Sequence, residues 1–347
     1  MGRYVSVPHT VNGEWLMAMA QASANASNTV NALCEDSAAM TLIFNNPTLM
    51  ATIGNSGTVF TAISGSTNSV TIGKWIAFKA GLNPADYADM DAVVASSTAM
   101  TAVVASSTAM NAVVASSTAM TVINANDQAL RIWMLAGTNQ VYSNFANVAA
   151  VAASSTAMTA VAASSTAMTA VIASSTAMTA VVASSTACAA IKASSTAITA
   201  LDSSSPITVP TMSSNTDPSG VATDSVSSEN AYVCFDGNGI TFDDISGSAN
   251  NWIRYQFSAA VWCYKFSIQS NRSSYFDRQT KNFKVQYSSD GSTWNDALVG
   301  STSAGDGSNQ TFNVCAASGK VAYWRVYNVL TWGGVVFAPT TVQFYCK

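Results

Sequence analysis

The sequence predicts a multidomain chain: a repetitive shaft of short stacked α-helices followed by an all-β jelly-roll sandwich. Three observations carry this. A ten-residue phrase, Ala-Ser-Ser-Thr-Ala-Met-Thr-Ala-Val-Val, opens at Ala95 and recurs as far as Leu201. The last third alternates aromatic and β-branched residues with polar ones, and between the two lies a Ser-, Pro-, Thr- and Asp-rich stretch. Repetition at a fixed period signals an array of stacked units, and period-two alternation between turn residues signals strands.

Of 347 residues, 49% are hydrophobic and only 9% charged, and the net charge is -4. No basic excess points to nucleic acid. Asn144 to Ile191 is free of charge, but Ser-Ser-Thr interrupts it every decad, so no run reaches the ~18 apolar residues of a membrane span. The opening residues lack the apolar core of a secretory signal.

Residues 1–29 match nothing later in the chain. Trp15, Met17 and Met19 suit them either to docking on a partner or to capping the first repeat. The shaft spans 30–201, with degenerate decads from Asn31 and clean copies from Asp91 to Met120 and from Ala149 to Ala200. Ten residues of continuous α-helix advance about 1000°, roughly 80° short of three turns, so the Met and Val positions would spiral with no fixed stripe. A strand stays in phase over ten residues, which makes a β-solenoid the alternative. The degenerate copies favour short helices. Asn45-Asn46-Pro47 is a capping start and Gly54 a stop, Asn83-Pro84 repeats the start, and Ser97 or Ser107 takes the capping place in the clean copies. Each decad then reads as about two helical turns with Met100 and Val103 on the buried face, too short to stand without neighbours.

Two longer helical insertions, 71–90 and 124–148, echo each other: Trp75, Tyr87 and Val93 recur as Trp133, Phe145 and Val151. They read as partner platforms or as larger core units. Residues 202–228 read as a linker, and 229–347 as the sandwich.

The six cysteines, Cys34, Cys188, Cys234, Cys263, Cys315 and Cys346, show no zinc spacing. Cys188 stands at the repeat's Met position as a small core hydrophobe. Buried free thiols are expected, with disulfides among the four C-terminal cysteines as the alternative in an oxidising compartment.

In the sandwich region, Ala231-Tyr232-Val233-Cys234-Phe235-Asp236-Gly237-Asn238, then Trp252-Ile253-Arg254-Tyr255-Gln256-Phe257, Val285-Gln286-Tyr287-Ser288-Ser289-Asp290-Gly291-Ser292-Thr293-Trp294 and Tyr323-Trp324-Arg325-Val326 occur in order. This order resembles the discoidin, or coagulation-factor C-type, domain of the galactose-binding-like superfamily. The resemblance implies an eight-stranded jelly roll that binds glycan, lipid or protein through loops at one end, with structural calcium in some members near the turn matching Asp236 and Asn238. Those two oxygen donors equally suit an Asx turn. The family's terminal disulfide has no counterpart at the domain's start, where Cys346 finds no cysteine.

Sugar sites pair a flat aromatic face with bidentate polar groups. Arg272, Tyr275, Asp277 and Arg278 in one loop, and Trp332 in another, supply both; loop salt bridges or packing are the plain alternative. The whole chain is similar to bacteriophage tail-fibre and receptor-binding proteins. That similarity implies a virion protein assembled in the host cytoplasm, a homo-oligomer of trimer type, anchored to tail or baseplate through the N-terminus and to a host-surface glycan through the C-terminal module. A structural spacer, a head-decoration fibre and a bacterial adhesin are the rivals. An enzyme is not expected: the only histidine, His9, lies near the N-terminus and Glu14, Glu35 and Glu229 are far apart, although Asp243 and Asp244 would be a carboxylate pair for a glycosidase.

Overall fold

The computed structural model describes residues 30–54, 56–226, 230–238, 245–246, 250–270, 278–303, 308–333 and 336–347. The N-terminal docking segment 1–29, and with it His9, lies outside the described residues. The chain divides into two compact units, Met1–Val151 with Thr166–Ala177, and Ala152–Ser165 with Met178–Lys347.

After a helical turn over 30–34, every decad is a short helix. They are α1 (Ser37–Phe44), α2 (Pro47–Ile53), α3 (Gly57–Ser64), α4 (Ser69–Lys79), α5 (Met90–Ala95), α6 (Ser97–Ala105), α7 (Ser107–Val114) and α8 (Ser117–Ala125). Then come α9 (Asp127–Met134), α10 (Val148–Ala153), α11 (Ser155–Ala163), α12 (Ser165–Ala173), α13 (Ser175–Ala183), α14 (Ser185–Ala193) and α15 (Ser195–Ser203). The β-solenoid alternative does not hold.

The reason for the period is a single residue. Ser96 has extended backbone (φ -94°, ψ 109°); its N–H donates to Val93 O and closes α5, while its Oγ accepts from Ala99 N at 3.1 Å and opens α6. One hinge plus nine helical residues makes ten. At Ser106 the axis turns by 101° between α6 and α7. The capping serine is thus Ser96 or Ser106 and not the expected Ser97 or Ser107, because the second serine of each pair already has helical backbone as the first residue of the helix. Asn46, Pro47 and Gly54 play the parts expected of them as cap, first helical residue and stop. Asn83-Pro84 opens only a 3-10 turn, Pro84–Asp86.

With each helix turned from the last, stacking partners lie three helices apart. In the first unit α1 packs on α4, α4 on α7, α5 on α8 and α6 on α9; in the second, α11 packs on α14. The face buried by that stacking is Ala99, Met100 and Val103, each fully inaccessible, and its equivalents in later decads.

Both insertions contribute to the core, since Trp75 and Trp133 are fully buried. Both share one plan. Helix α4 ends before Gly81 (φ +73°) and α9 before Gly137 (φ +67°), left-handed positions that glycine adopts without strain. Lys74 Nζ donates to Pro84 O and Tyr87 O, both at 3.0 Å, and Arg131 Nη1 to the corresponding Tyr142 O and Phe145 O. Ser69 Oγ accepts from Met90 N as Asp127 Oδ1 accepts from Val148 N. A cation, buried at Lys74 and half-buried at Arg131, ties each loop back to its helix.

The second unit carries an antiparallel β-sandwich, as expected. Its strands are β1 (Ile207–Thr208), β2 (Val221–Asp224), β3 (Ile245–Ser246), β4 (Trp252–Val261), β5 (Cys263–Ser270), β6 (Thr280–Ser288), β7 (Asn295–Ser301), β8 (Asn309–Asn313), β9 (Val321–Thr331), β10 (Val336–Phe337) and β11 (Pro339–Cys346). Sheet orders are β1-β11-β5-β8 and β2-β4-β9-β6-β7, with β10-β3 as a small third sheet. Aromatic rings join the two large sheets: Phe266 lies 5.7 Å from Phe283, and Trp324 lies 6.3 Å from Phe344, with Phe266 and Phe344 5.4 Å apart within one sheet.

Residues 202–228, expected as a linker, instead supply β1 and β2, and the helices just before them are fastened to the sandwich. Asp202 Oδ1 accepts from Tyr264 Oη (2.9 Å) and pairs with Lys265 (2.5 Å), Asn313 Nδ2 donates to Lys192 O (3.0 Å), and Gly319 N to Val182 O (3.1 Å). Burial, and after it the Asp202 carboxylate, holds the Tyr264 hydroxyl well above the usual tyrosine range.

The free-thiol expectation is corrected at one pair: Cys263 and Cys346, 83 residues apart, form a disulfide joining β5 to β11. The spacing does not show it because the partner lies on an interior strand, not at the domain's start. Cys34, Cys188, Cys234 and Cys315 are buried and outside any disulfide. Burial pushes the thiols of Cys34 and Cys188 up, to about 11 and about 12, which keeps them protonated and inert.

In denaturant without reductant, alkylation should label four cysteines, rising to six after reduction. Loss of the cross-link should destabilise the sandwich by up to about 4.5 kcal/mol on the loop-entropy relation for a loop of this length, read as a lower melting temperature in dithiothreitol. Lys74→Met, which leaves the Pro84 and Tyr87 carbonyls without their donor, should lower unfolding free energy by about 2 kcal/mol in urea titration.

Candidate functional site

Strand β6 starts and β9 ends at the same end of the five-stranded sheet, where Thr280 pairs with Thr331. The pairing fixes the segments that flank it. Trp332 N donates to Gln279 O (2.9 Å) and Ala338 N to Arg278 O (3.3 Å), so the backbones at Arg278 and Trp332 are held together. Two candidate residues from separate loops therefore meet. Arg272, Tyr275 and Asp277 lie outside the described residues.

Trp332 is 40% exposed, the only exposed tryptophan among the described residues. Lys281 Nζ stands 4.6 Å from its ring centroid, a cation over an aromatic face. Leu330, 37% exposed, lies on the same strand end. Gln279, Thr280 and Thr331, next to it in sequence or across the pairing, are buried. Arg278 is half-buried and engaged with the protein. The arrangement offers one flat aromatic face beside a lysine, with Arg278 in the neighbouring segment, suited to covering the C–H side of a sugar ring while donating to its oxygens.

Sequence reasoning missed Lys281. It sits inside a strand pattern, Thr280-Lys281-Asn282-Phe283, where an alternating lysine reads as ordinary solvent-facing polarity. Only pairing with β9 brings it over Trp332.

The turn expected to suit calcium closes on itself. Asp236 Oδ1 accepts from Asn238 N (2.7 Å) across Gly237 (φ +70°), an Asx turn. Among the described residues no group of three His, Cys, Asp or Glu side chains gathers to hold a metal ion. The two donors of the turn fall short of the six to eight oxygens calcium takes, so they do not by themselves fit the ion.

No family model matches the sequence, and no curated protein matches it. Solved structures similar to the chain include carbohydrate-binding modules and F5/8 type C domains. The family 32 carbohydrate-binding module of AlyQ, solved with 4,5-unsaturated mannuronic acid, is 18% identical over 36% of this chain and 92% of its own, with a TM-score of 0.32. A family 32 module from Clostridium perfringens, solved with GalNAc-β-1,3-galactose, is 14% identical over 38% of this chain and 99% of its own, with a TM-score of 0.31. The F5/8 type C domain of a Bacteroides fragilis protein is 15% identical over 39% of this chain and 96% of its own, with a TM-score of 0.30.

Proposed function

We propose that the chain is a structural virion fibre protein of the tail-fibre type. In this reading its sandwich attaches to a host-surface glycan through the end bearing Arg278, Lys281 and Trp332, with the Arg272–Asp277 loop completing the site. The observation that carries the reading is Trp332: a large ring left exposed beside buried neighbours, with a cation over it, where burial would be the ordinary fate of tryptophan. Stacked helices cross-bonded from coil to coil suit a spacer, and residues 1–29 are assigned to anchoring on a tail or baseplate protein. Assembly as a homotrimer would convert weak single-site sugar binding into firm attachment by avidity. The role is attachment, not catalysis, and its place is the virion, after assembly in the host cytoplasm.

A glycan array probed with the full chain tests this. Trp332→Ala should weaken the strongest glycan signal about tenfold, the worth of about 1.4 kcal/mol of aromatic contact, with Arg272→Ala adding to the loss and far-ultraviolet circular dichroism unchanged. Unaltered binding in the double variant would remove the site, and a chain that binds no glycan would leave a plain spacer. Antibody labelling of intact particles under the electron microscope checks the virion assignment and the end that is anchored.

A further inference from the structure

Every strand of the five-stranded sheet contributes one outward residue to a single row: Thr223, Arg254, Arg325, Gln286 and Asp296, in register across β2, β4, β9, β6 and β7. Their chain neighbours Ile253, Tyr255, Trp324 and Val326 fill the core, so alternation fixes the row on the opposite face. Hydrogen bonds run along it. Arg254 Nε donates to Thr223 Oγ1 (2.8 Å), Arg325 Nε to Gln286 Oε1 (2.8 Å), and Gln286 Nε2 to Asp296 Oδ1 (2.6 Å). Asp296, the one carboxylate of the row, is also paired with Lys284 at 2.7 Å.

This leaves Arg254 and Arg325 directly opposite one another, with no carboxylate bonded to either among the described residues. Like charges at opposed positions of neighbouring strands destabilise a sheet, and the chain as a whole is acidic, at net -4, so no general excess of cations explains the pair. Aromatic faces soften the conflict. The Arg325 guanidinium carbon is 4.0 Å from the Trp294 ring centroid and 5.6 Å from that of Trp252; that of Arg254 is 5.4 Å from Trp252 and 5.7 Å from Tyr323. Burial lowers the Arg325 pKa to about 10, which still leaves it charged at neutral pH. Arg325 hydrogen-bonds through Nε alone among the described residues, which leaves its two terminal amino groups available to a further acceptor. Local rules broken without a structural gain concentrate at functional positions.

We propose that this sheet face binds an acidic polysaccharide, with a sugar carboxylate held between Arg254 and Arg325 and the flanking rings packed on Trp252 and Tyr323. Guanidinium forks match carboxylates bidentately, and aromatic faces cover the apolar side of sugar rings. A protein partner would also suit Trp, Tyr and Arg. What favours the polysaccharide is that two cations stand opposed without a bonded carboxylate among the described residues, so the ligand must bring the anion, and a uronate brings it together with ring faces for the tryptophan and tyrosine. The surface is independent of the Trp332 end.

The test uses the full chain in calorimetric titration with polygalacturonate, polymannuronate and hyaluronan, and with methyl-esterified polygalacturonate as an uncharged control. At least one acidic polymer should bind, weaken as salt rises, and lose tenfold or more with Arg254→Gln or Arg325→Gln, while Trp332→Ala leaves it unchanged. Neutral glycan binding at the Trp332 end should persist in the arginine variants, so either reading can fail without the other. Binding to none of the three acidic polymers overturns the proposal and returns the face to a protein partner. Equal binding of the ester, or an Arg254→Gln variant that binds as before, overturns it as well. Should the variants not fold, the acid-against-ester comparison on the unaltered chain decides.

Discussion

The helical array depends on what one serine hydroxyl does twice. At Ser184, Oγ accepts from Ala187 N to start α14 and donates to Ala152 O, 32 residues earlier, at 2.6 Å. Ser194 repeats the pair of bonds with Ala197 N and Ala162 O. In the other unit, Ser106 caps α7 while donating to Lys79 O, and Ser66 donates to Cys34 O, again across 32 residues. A helix cap needs an acceptor, which Asp or Asn supplies as well as Ser; a bond to the carbonyl of the coil beneath needs a donor on the same atom. A hydroxyl has both. That dual capacity gives the repeat a reason to keep serine at its hinge, where aspartate would cap as well but leave the lower carbonyl unmet.

The same economy of polar groups governs the two longer units. The helices differ, eleven residues in α4 and eight in α9, but the loop behind each turns two carbonyls back toward its helix, and Lys74 and Arg131 answer them. The cations differ in type and sit one position apart in the duplicated frame, since Lys74 aligns with Ile132, yet each reaches the matching pair of carbonyls. What was duplicated is the demand for a donor, met by whichever long cationic side chain the local turn could aim.

Much of this was legible in the sequence, and what was not has a common cause. Punctuation such as Asn46-Pro47 and Gly81 acts locally, so the helical reading of the decad and the stops of the long helices could be taken from adjacent residues. Alternation in Trp252–Phe257 and Tyr323–Val329 revealed the strands and the inward residues. Register is a long-range property. Nothing in either strand alone says that Arg254 faces Arg325, that Lys281 stands over Trp332, or that Cys346 closes on Cys263. The stretch 202–228 reads as a linker for the same reason: two- and four-residue strands such as β1 and β2 carry too little pattern to outweigh their serines and prolines.

The three-helix stacking interval has a consequence for how such a chain can grow or shrink. Each hinge reaches the carbonyl roughly three decads back, so its partner is set by an offset and not by a fixed position. A decad added to or lost from the regular part gives new partners only to the three helices that follow it; every helix beyond keeps its own, because both move together. What a single decad changes is direction: one helix is about a third of a coil, so about thirty residues is the step that lengthens the array without turning the helices beyond it.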